Sequence, residues 1–149
     1  MNALTEAQAS KEAIILAEFL QAIEAAFVLG EFGALAQHYS LPTVIYSEAG
    51  ATIIQDEAQF VAMFNNYKDM LHSKQITQSH HQILAQEPTI NRRKKVSVRF
   101  TKFHSSEEAP VTNDVKLFLH FDHNDEPKIE MLEYLTLPTT VGDIENLLS

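Results

Sequence analysis

Residues 27–39 read FVLGEFGALAQHY, and this stretch decides how the chain is organised. Gly30 stands where a helix is expected to end, because glycine adopts the left-handed conformation of a helix C-cap without steric cost. A short second helix is predicted beyond Gly30, since apolar residues recur on one helical face. These residues are Phe32, Leu35 and Tyr39. Pro42 is expected to end this helix, because proline has no N–H group to continue it.

The segment before Gly30 has the pattern of a long amphipathic helix. Thr5 and Gln8 have the spacing of a capping box, in which side chains satisfy the free backbone N–H groups of the first turn. Apolar residues then recur at intervals of three and four, as on one face of a helix. They are Leu16, Phe19, Leu20, Ile23 and Phe27.

A hairpin and a third helix are predicted after Pro42. Residues 43–46 form the first strand, residues 48–50 the turn and residues 51–54 the returning strand. Asp56 is expected to open the third helix, with Gln59 at the capping-box position. The apolar stripe of this helix consists of Phe60, Phe64, Tyr67 and Leu71.

The helical period disappears in the second half of the chain. Four segments are predicted to be strands: residues 75–87, 95–104, 114–122 and 128–137. In the second of these, Val96, Val98 and Phe100 alternate with polar residues, which is the period of a half-buried strand. Helices followed by strands that hairpins connect form an α+β domain, and residues 1–149 are predicted to be one such domain.

The order and lengths of these elements resemble those of the NTF2-like, or SnoaL-like, superfamily along nearly the whole chain. The segment 27–39, followed by a strand and a glycine-containing turn, is similar to the helix-to-strand opening of that superfamily. The resemblance implies an NTF2-like cone, in which three N-terminal helices pack on a curved, mostly antiparallel sheet of about six strands. It also implies a pocket inside the cone, and many members are homodimers.

Members that resemble ketosteroid isomerase use a tyrosine on the first helix and an aspartate near the first strand. The corresponding positions here hold Ile23 and Ser47, neither of which can act as the acid or base. If the protein is an enzyme, its polar centre is predicted to consist of Tyr46, His120 and Asp122. Asp122 would orient His120 as acid or base, because their spacing places both on one strand face, and Tyr46 would supply a hydroxyl donor. The alternative is that these residues belong to a solvated sheet face or a dimer interface.

Further ionisable residues lie on the predicted strands. His80 and His81 are adjacent, so only one of them can face the pocket. On the last strand Glu130 and Tyr134, or alternatively Glu133, could face inward. The pocket is expected to be mainly apolar and to be lined by Phe19, Ile23, Phe27, Phe64, Val98 and Tyr134. A single core is predicted to contain Phe19, Ile23, Phe27, Phe60, Phe64 and Val98.

The composition argues against several classes of partner. The net charge of −9 would repel nucleic acid, and we interpret the run Arg92-Arg93-Lys94-Lys95 as the solvated base of a hairpin. No apolar stretch is long enough to cross a membrane and no signal peptide is readable, so we expect a cytoplasmic protein. The chain has no cysteine, which excludes disulfides and thiolate metal sites.

No metal or cofactor is expected from the motifs. Pro127 occupies the position where a calcium loop needs glycine, although four oxygen-bearing residues have the spacing of such a loop. They are Asp122, Asn124, Glu126 and Glu133. The seven histidines form no zinc-binding motif, and the sequence contains no glycine-rich loop for a nucleotide.

Three functions remain open. The leading hypothesis is that the protein binds a small apolar molecule in the cone. The second is a SnoaL-like dehydratase, isomerase or cyclase that works by acid–base catalysis without a cofactor. The third is a protein-interaction module that uses the exposed face of the sheet for a partner or a second copy. Separately, a homodimer formed largely through the sheet is predicted, because the last two predicted strands carry apolar residues on both faces. A pocket with a histidine–carboxylate pair would favour the enzyme, an apolar pocket the binder, and a filled core the interaction module.

Overall fold

The computed structural model describes residues 6–47, 50–73, 76–104 and 111–135. The chain begins with α1 (Glu6–Leu29) and α2 (Phe32–Ala36), followed by the hairpin of β1 (Tyr39–Ser47) and β2 (Gly50–Ile54). The third helix is α3 (Glu57–Ser73). Four long strands complete the domain: β3 (Ile76–Gln86), β4 (Arg93–His104), β5 (Val111–Phe121) and β6 (Pro127–Tyr134). None of the helices in these ranges is long and apolar enough to cross a membrane.

The six strands form one sheet in the order β2-β1-β6-β5-β4-β3. Neighbouring strands are antiparallel except β1 and β6, which run parallel, so the last strand returns beside the first. Thr43 stabilises this pairing from a fully buried position, because its Oγ1 donates a hydrogen bond of 2.8 Å to the carbonyl oxygen of Glu130. Four of the five strand pairs are antiparallel, so the sheet is mostly antiparallel, as expected from the sequence.

The core lies between α1 and the inner face of this sheet. Side chains alternate along β4 and β5, so that every second residue points toward the helices. The most completely buried apolar side chains are Leu16, Leu20, Ile54, Phe60, Val96, Val98, Val115, Leu117, Leu119 and Ile129. Of the predicted core residues, Phe19, Ile23, Phe60 and Val98 are buried within it, whereas Phe27 and Phe64 are partly buried against it.

An aromatic cluster joins the three helices to the sheet. The ring of Phe64 lies 4.5 Å from that of Phe60, 5.5 Å from that of Phe32 and 6.2 Å from that of Phe27, measured between centroids. Phe60 in turn contacts Tyr39 of β1 at 4.8 Å. These distances are typical of favourable aromatic pairs. The cluster fixes α3 over the end of the sheet at which α1 finishes.

Two helix boundaries follow the sequence signals. Gly30 has φ 73°, and the N–H groups of Gly30 and Glu31 donate to the carbonyl oxygens of Phe27 and Ala26. This is a Schellman motif, which confirms the predicted C-cap. At α3 the Asp56 carboxylate accepts the N–H of Gln59 at 2.8 Å, which confirms the predicted N-cap. The Thr5–Gln8 capping box lies outside the described residues, as do the side chains of Tyr67 and Leu71.

The boundary between α2 and β1 differs from the prediction. Helix α2 ends at Ala36, and both Tyr39 and Pro42 belong to β1. Pro42 therefore does not end the helix. It lies within the part of β1 where the register against β6 shifts, between Tyr39 and Val44, and such irregularities tolerate a residue without an N–H group.

The basic run lies at the β3–β4 hairpin, as predicted. Asn91 and Arg92 have φ values of 52° and 63°, as a two-residue turn of this kind requires. Arg93 forms a two-bond ion pair with Glu130. Lys94 departs from the solvated interpretation, because it is only 9% exposed and pairs with Glu12 of α1 at 3.4 Å.

Candidate functional site

A cavity of about 100 Å³ lies between the helices and the inner face of the sheet. Most of its wall is apolar, and the apolar residues are Ile23, Phe27, Leu35, Ile45, Met63, Phe64, Phe100, Val115, Leu117, Ile129 and Leu132. Six polar residues also line it, and they are Glu24, Tyr39, Ser79, Lys102, Asn113 and Tyr134. Side chains thus fill the space over one part of the inner face, and the cavity lies over another part, beside the aromatic cluster.

The strand register gathers three of the polar residues. Ser79 lies directly opposite Lys102 in the β3–β4 pair, and Asn113 lies opposite Phe100 in the β4–β5 pair. Lys102 continues the inward series of Val96, Val98 and Phe100, so that its side chain enters the core rather than solvent. Its Nζ donates a hydrogen bond of 3.1 Å to Oδ1 of Asn113, and both side chains are buried.

Lys102 is in an unfavourable environment for a charge. Its side chain is 7% exposed, so Nζ is largely removed from water, and the Phe27 ring, whose centroid lies 5.3 Å from Nζ, offsets only part of this loss. Burial lowers the pKa of Lys102 to about 8, and the charge of Glu24 opposes part of this shift. The amine is therefore mostly protonated at neutral pH, with a neutral fraction far above that of an exposed lysine.

Glu24 brings a carboxylate to the same cavity from α1. Its Oε2 lies 3.1 Å from Nδ1 of His81, and the two side chains are 11% and 22% exposed. The other oxygen, Oε1, is buried and has no hydrogen-bond partner among the described residues. Buried carboxylate oxygens are nearly always hydrogen-bonded, so an unpartnered one at a cavity wall is available to a ligand. His81 therefore orients the carboxylate through Oε2.

Two tyrosines complete the polar part of the lining. Burial raises the pKa of Tyr39 strongly, and the nearby Tyr134 adds to this shift. The Tyr39 hydroxyl therefore stays protonated and can act only as a neutral donor or acceptor.

The three predicted catalytic residues do not meet in this cavity. Tyr46 is 41% exposed on the outer face of β1. His120 also faces outward, where its Nδ1 lies 3.8 Å from Oε1 of Glu130. Asp122 follows β5 in a turn, and its Oδ1 accepts the N–H groups of Asn124 and Glu126, which lower the pKa of Asp122. For Tyr46 and His120 the cause is the strand phase, since the adjacent Ile45 and Leu119 point inward. Asp122 is excluded because β5 ends at Phe121.

The predicted pocket lining divides into two groups. Ile23, Phe27, Phe64 and Tyr134 line the cavity. Phe19 and Val98 are instead buried in the packed part of the core. Of the neighbouring histidines, His81 faces Glu24, whereas His80 faces outward and contacts the ring of Phe103.

The sequence prediction missed Glu24, Lys102 and Asn113 as site residues. A signal for Lys102 was present, because it continues the apolar alternation of β4 by one further inward position. Glu24 likewise lies four residues after Leu20 on the buried stripe of α1. A charged residue at a position where the apolar period predicts a buried side chain is the pattern that would identify both Lys102 and Glu24.

Comparison with known proteins identifies the fold. No protein-family model matches the sequence, and no curated protein matches it. Among solved structures, an NTF2-like protein of unknown function from Shewanella oneidensis is similar over 82% of this chain and 97% of its own, with 18% identity and a TM-score of 0.62. The chain has an NTF2-like fold. At such identity, the likeness shows the fold alone.

Other NTF2-like neighbours have names that point to different roles. A ketosteroid isomerase-like protein from Erwinia carotovora covers 83% of this chain and 96% of its own, with 10% identity and a TM-score of 0.59. ActVI-ORFA from Streptomyces coelicolor covers 84% and 94%, with 11% identity and a TM-score of 0.62. The chemistry of this NTF2-like cavity therefore has to be argued from its own residues.

The free energy of unfolding is expected to rise between about pH 8 and about pH 9.5 because of Lys102. The pKa of Lys102 is about 8 in the folded chain, against an ordinary value of 10.5, so the unfolded chain binds more protons in this window. The rise should be roughly 1.5 kcal/mol, measured by urea unfolding at both pH values. Above about pH 10 the raised pKa of Tyr39 lowers the free energy of unfolding, because the unfolded chain loses the tyrosine proton first. The pH window of the measurement therefore ends below about pH 10.

The Lys102→Met variant should lose this rise. Lys94→Met is the matched control, since it removes another buried lysine that pairs with Glu12 outside the cavity lining, and it should keep the rise. An equal pH dependence in wild type and Lys102→Met would contradict the assignment.

Proposed function

We propose that the cavity binds a small, uncharged and mostly apolar molecule that carries one hydrogen-bonding oxygen. The observation that carries this proposal is the cluster of Lys102, Asn113 and Glu24 on the wall of a mostly apolar cavity. Ligand sites have this composition, because apolar walls supply affinity and a few polar groups fix orientation. The apolar part of the ligand lies against Phe27 and Phe64, and its oxygen lies against the polar cluster.

The charges of the cluster favour a neutral ligand. Lys102 and Glu24 carry opposite charges, and the pKa of Lys102 responds to Glu24, so the two fields partly cancel. An anion would be attracted by Lys102 but repelled by Glu24, and a cation would be attracted by Glu24 but repelled by Lys102. An oxygen of a carbonyl or hydroxyl group can accept a hydrogen bond from Lys102 without adding a charge.

The cavity volume limits the size of the ligand. The cavity is near 100 Å³, smaller than the engineered apolar cavity of about 150 Å³ that holds benzene, so its ligand has at most one ring or a short chain. Benzyl alcohol is a suitable probe, since it combines one aromatic ring with one hydroxyl group and has no charge.

Benzyl alcohol is expected to shift the methyl resonance of Met63 and to leave that of Met131 in place. Met63 lines the cavity, whereas Met131 faces outward and pairs with Phe118 and Val44 in the sheet. The measurement is a titration of protein with isotope-labelled methionine methyl groups, followed by NMR.

The matched variant is Asn113→Leu, which should weaken binding of benzyl alcohol. It should still bind toluene, which has the same ring but no hydroxyl group. Equal shifts at Met63 and Met131, or none at either, would contradict binding in the cavity.

A second candidate function is acid–base catalysis on the same kind of ligand, in the manner of the SnoaL-like alternative. The Glu24–His81 pair favours it, because the carboxylate lines the cavity and His81 holds one of its oxygens at 3.1 Å. Glu24 would remove a proton from the carbon beside a carbonyl group, and Lys102 would stabilise the negative charge that develops on the oxygen.

Exchange of the α-protons of cyclohexanone in heavy water, followed by proton NMR, tests this candidate. Glu24→Gln should slow the exchange by about 100-fold or more, because it removes the base. Glu133→Gln is the control, since Glu133 pairs with Lys116 and Tyr46 in the sheet and does not line the cavity. Exchange no faster than in buffer alone would remove the catalytic candidate and leave binding untouched.

We also propose that the outer face of the sheet is a surface for self-association. Four apolar residues stand directly opposite one another across four strands, which makes a continuous row. They are Ile53, Val44, Met131 and Phe118. Ile53 is 51% exposed at one end, and Lys95 and Lys116 flank the Phe118 ring at the other. A second copy of the chain would cover this row.

The protein is accordingly expected to have the mass of a dimer in light scattering at micromolar concentration. Met131→Lys should shift the mass toward the monomer, because it places a charge in the middle of the row. Leu84→Lys is the control, since Leu84 is exposed on the edge strand β3 away from the row, and it should leave the dimer intact. A wild-type monomer would rule out this surface as an interface.

A further inference from the structure

Lys102 is a primary amine on the wall of an apolar cavity. Its side chain is 7% exposed, and its Nζ lies 5.3 Å from the centroid of the Phe27 ring and 3.1 Å from Asn113 Oδ1. The neutral form of a lysine amine is a nucleophile toward carbonyl carbon, and a desolvated site favours that form. With a pKa of about 8, roughly one tenth of the Lys102 side chains are neutral at pH 7.

We propose that Lys102 captures a small apolar aldehyde or ketone in the cavity as a reversible imine. This inference rests on the proposed binding function and identifies the oxygen of the ligand as a carbonyl oxygen. Aldehydes and ketones are uncharged, as the opposing charges of Lys102 and Glu24 require. They also fit a wall that is mostly apolar and carries a few polar groups.

The reaction is a condensation with no change in oxidation state. The lone pair of Nζ forms a bond to the carbonyl carbon, the π pair moves to oxygen, and a proton passes from nitrogen to oxygen to give a carbinolamine. The hydroxyl group then takes a proton and leaves as water while the nitrogen lone pair forms the C=N bond. Loss of the remaining proton from nitrogen gives the imine, so that amine and carbonyl become imine and water.

Glu24 is placed to carry the protons of this reaction. Its Oε1 is buried without a hydrogen-bond partner among the described residues, and Glu24 lines the same cavity as Lys102. The carboxylate would first take the proton that Nζ releases before it attacks, then donate this proton to the leaving hydroxyl and finally take the last proton from nitrogen. Its other oxygen lies 3.1 Å from His81, which is 22% exposed and so connects the carboxylate to solvent.

Lys94 provides an internal comparison within the same chain. It is buried to nearly the same extent, at 9% exposed, and it lies on the same strand. Its Nζ pairs with Glu12 at 3.4 Å, and it does not line the cavity. Burial alone would make the two lysines equally reactive, whereas a cavity-bound carbonyl compound reaches only Lys102.

The test is reductive trapping of the folded protein with benzaldehyde and sodium cyanoborohydride near pH 7, followed by mass spectrometry of peptides. One benzyl group is expected on Lys102, in at least about tenfold excess over Lys94 or any other lysine. Lys102→Arg should remove the adduct while keeping a cation in place. Glu24→Gln should reduce the rate of trapping several-fold, and the wild-type distribution is informative even if a variant does not fold.

The outcomes separate this inference from the proposed function. Benzyl groups spread evenly over the lysines, or more abundant on Lys94, overturn the inference. A benzyl alcohol shift at Met63 without an adduct on Lys102 overturns the imine and leaves the binding function standing. Absence of both the shift and the adduct overturns the two together.

Discussion

The rest of the structure depends on the burial of one face of α1 against the inner face of the sheet. Leu16 and Leu20 are almost completely buried there, and each contributes roughly 2 kcal/mol through the hydrophobic effect. Glu24 follows Leu20 by four residues and therefore lies on the same face of the helix. The helix that closes the core thus also carries a carboxylate into the cavity, and the Schellman motif at Gly30 ends this helix after Leu29.

The polar cluster is costly for the fold. Burying Lys102 and Glu24 requires the removal of two charges from water, and their mutual attraction rarely compensates for this in full. An apolar residue at position 102 would continue the inward series of β4 at lower cost. Among the described residues, Lys102 and Glu24 are charged side chains largely buried beside the cavity, and Lys94 is another buried charge on the inner face of the sheet. A destabilising cluster next to free space is the arrangement expected of a binding site.

Much of the fold could be predicted because its signals are local. The glycine at position 30, the cap at Asp56 and the alternation in β4 each act within a few residues. The parallel pairing of β1 with β6 joins positions far apart in sequence, and no local pattern encodes it. The same limit applies to the site, since Glu24, Lys102 and Asn113 come from three separate elements. Tyr46, His120 and Asp122 were chosen by residue type and spacing. The phase of their strands turns Tyr46 and His120 outward, and Asp122 lies in the turn after β5.

The most direct test of this account is a crystal structure of the protein grown with benzyl alcohol. We predict electron density for the ring between Phe27 and Phe64, with the hydroxyl oxygen about 3 Å from Lys102 Nζ or the Asn113 amide. Aromatic side chains turned inward to fill the cavity, with no density for the alcohol beside Lys102, would contradict the claim that the cone holds a ligand site.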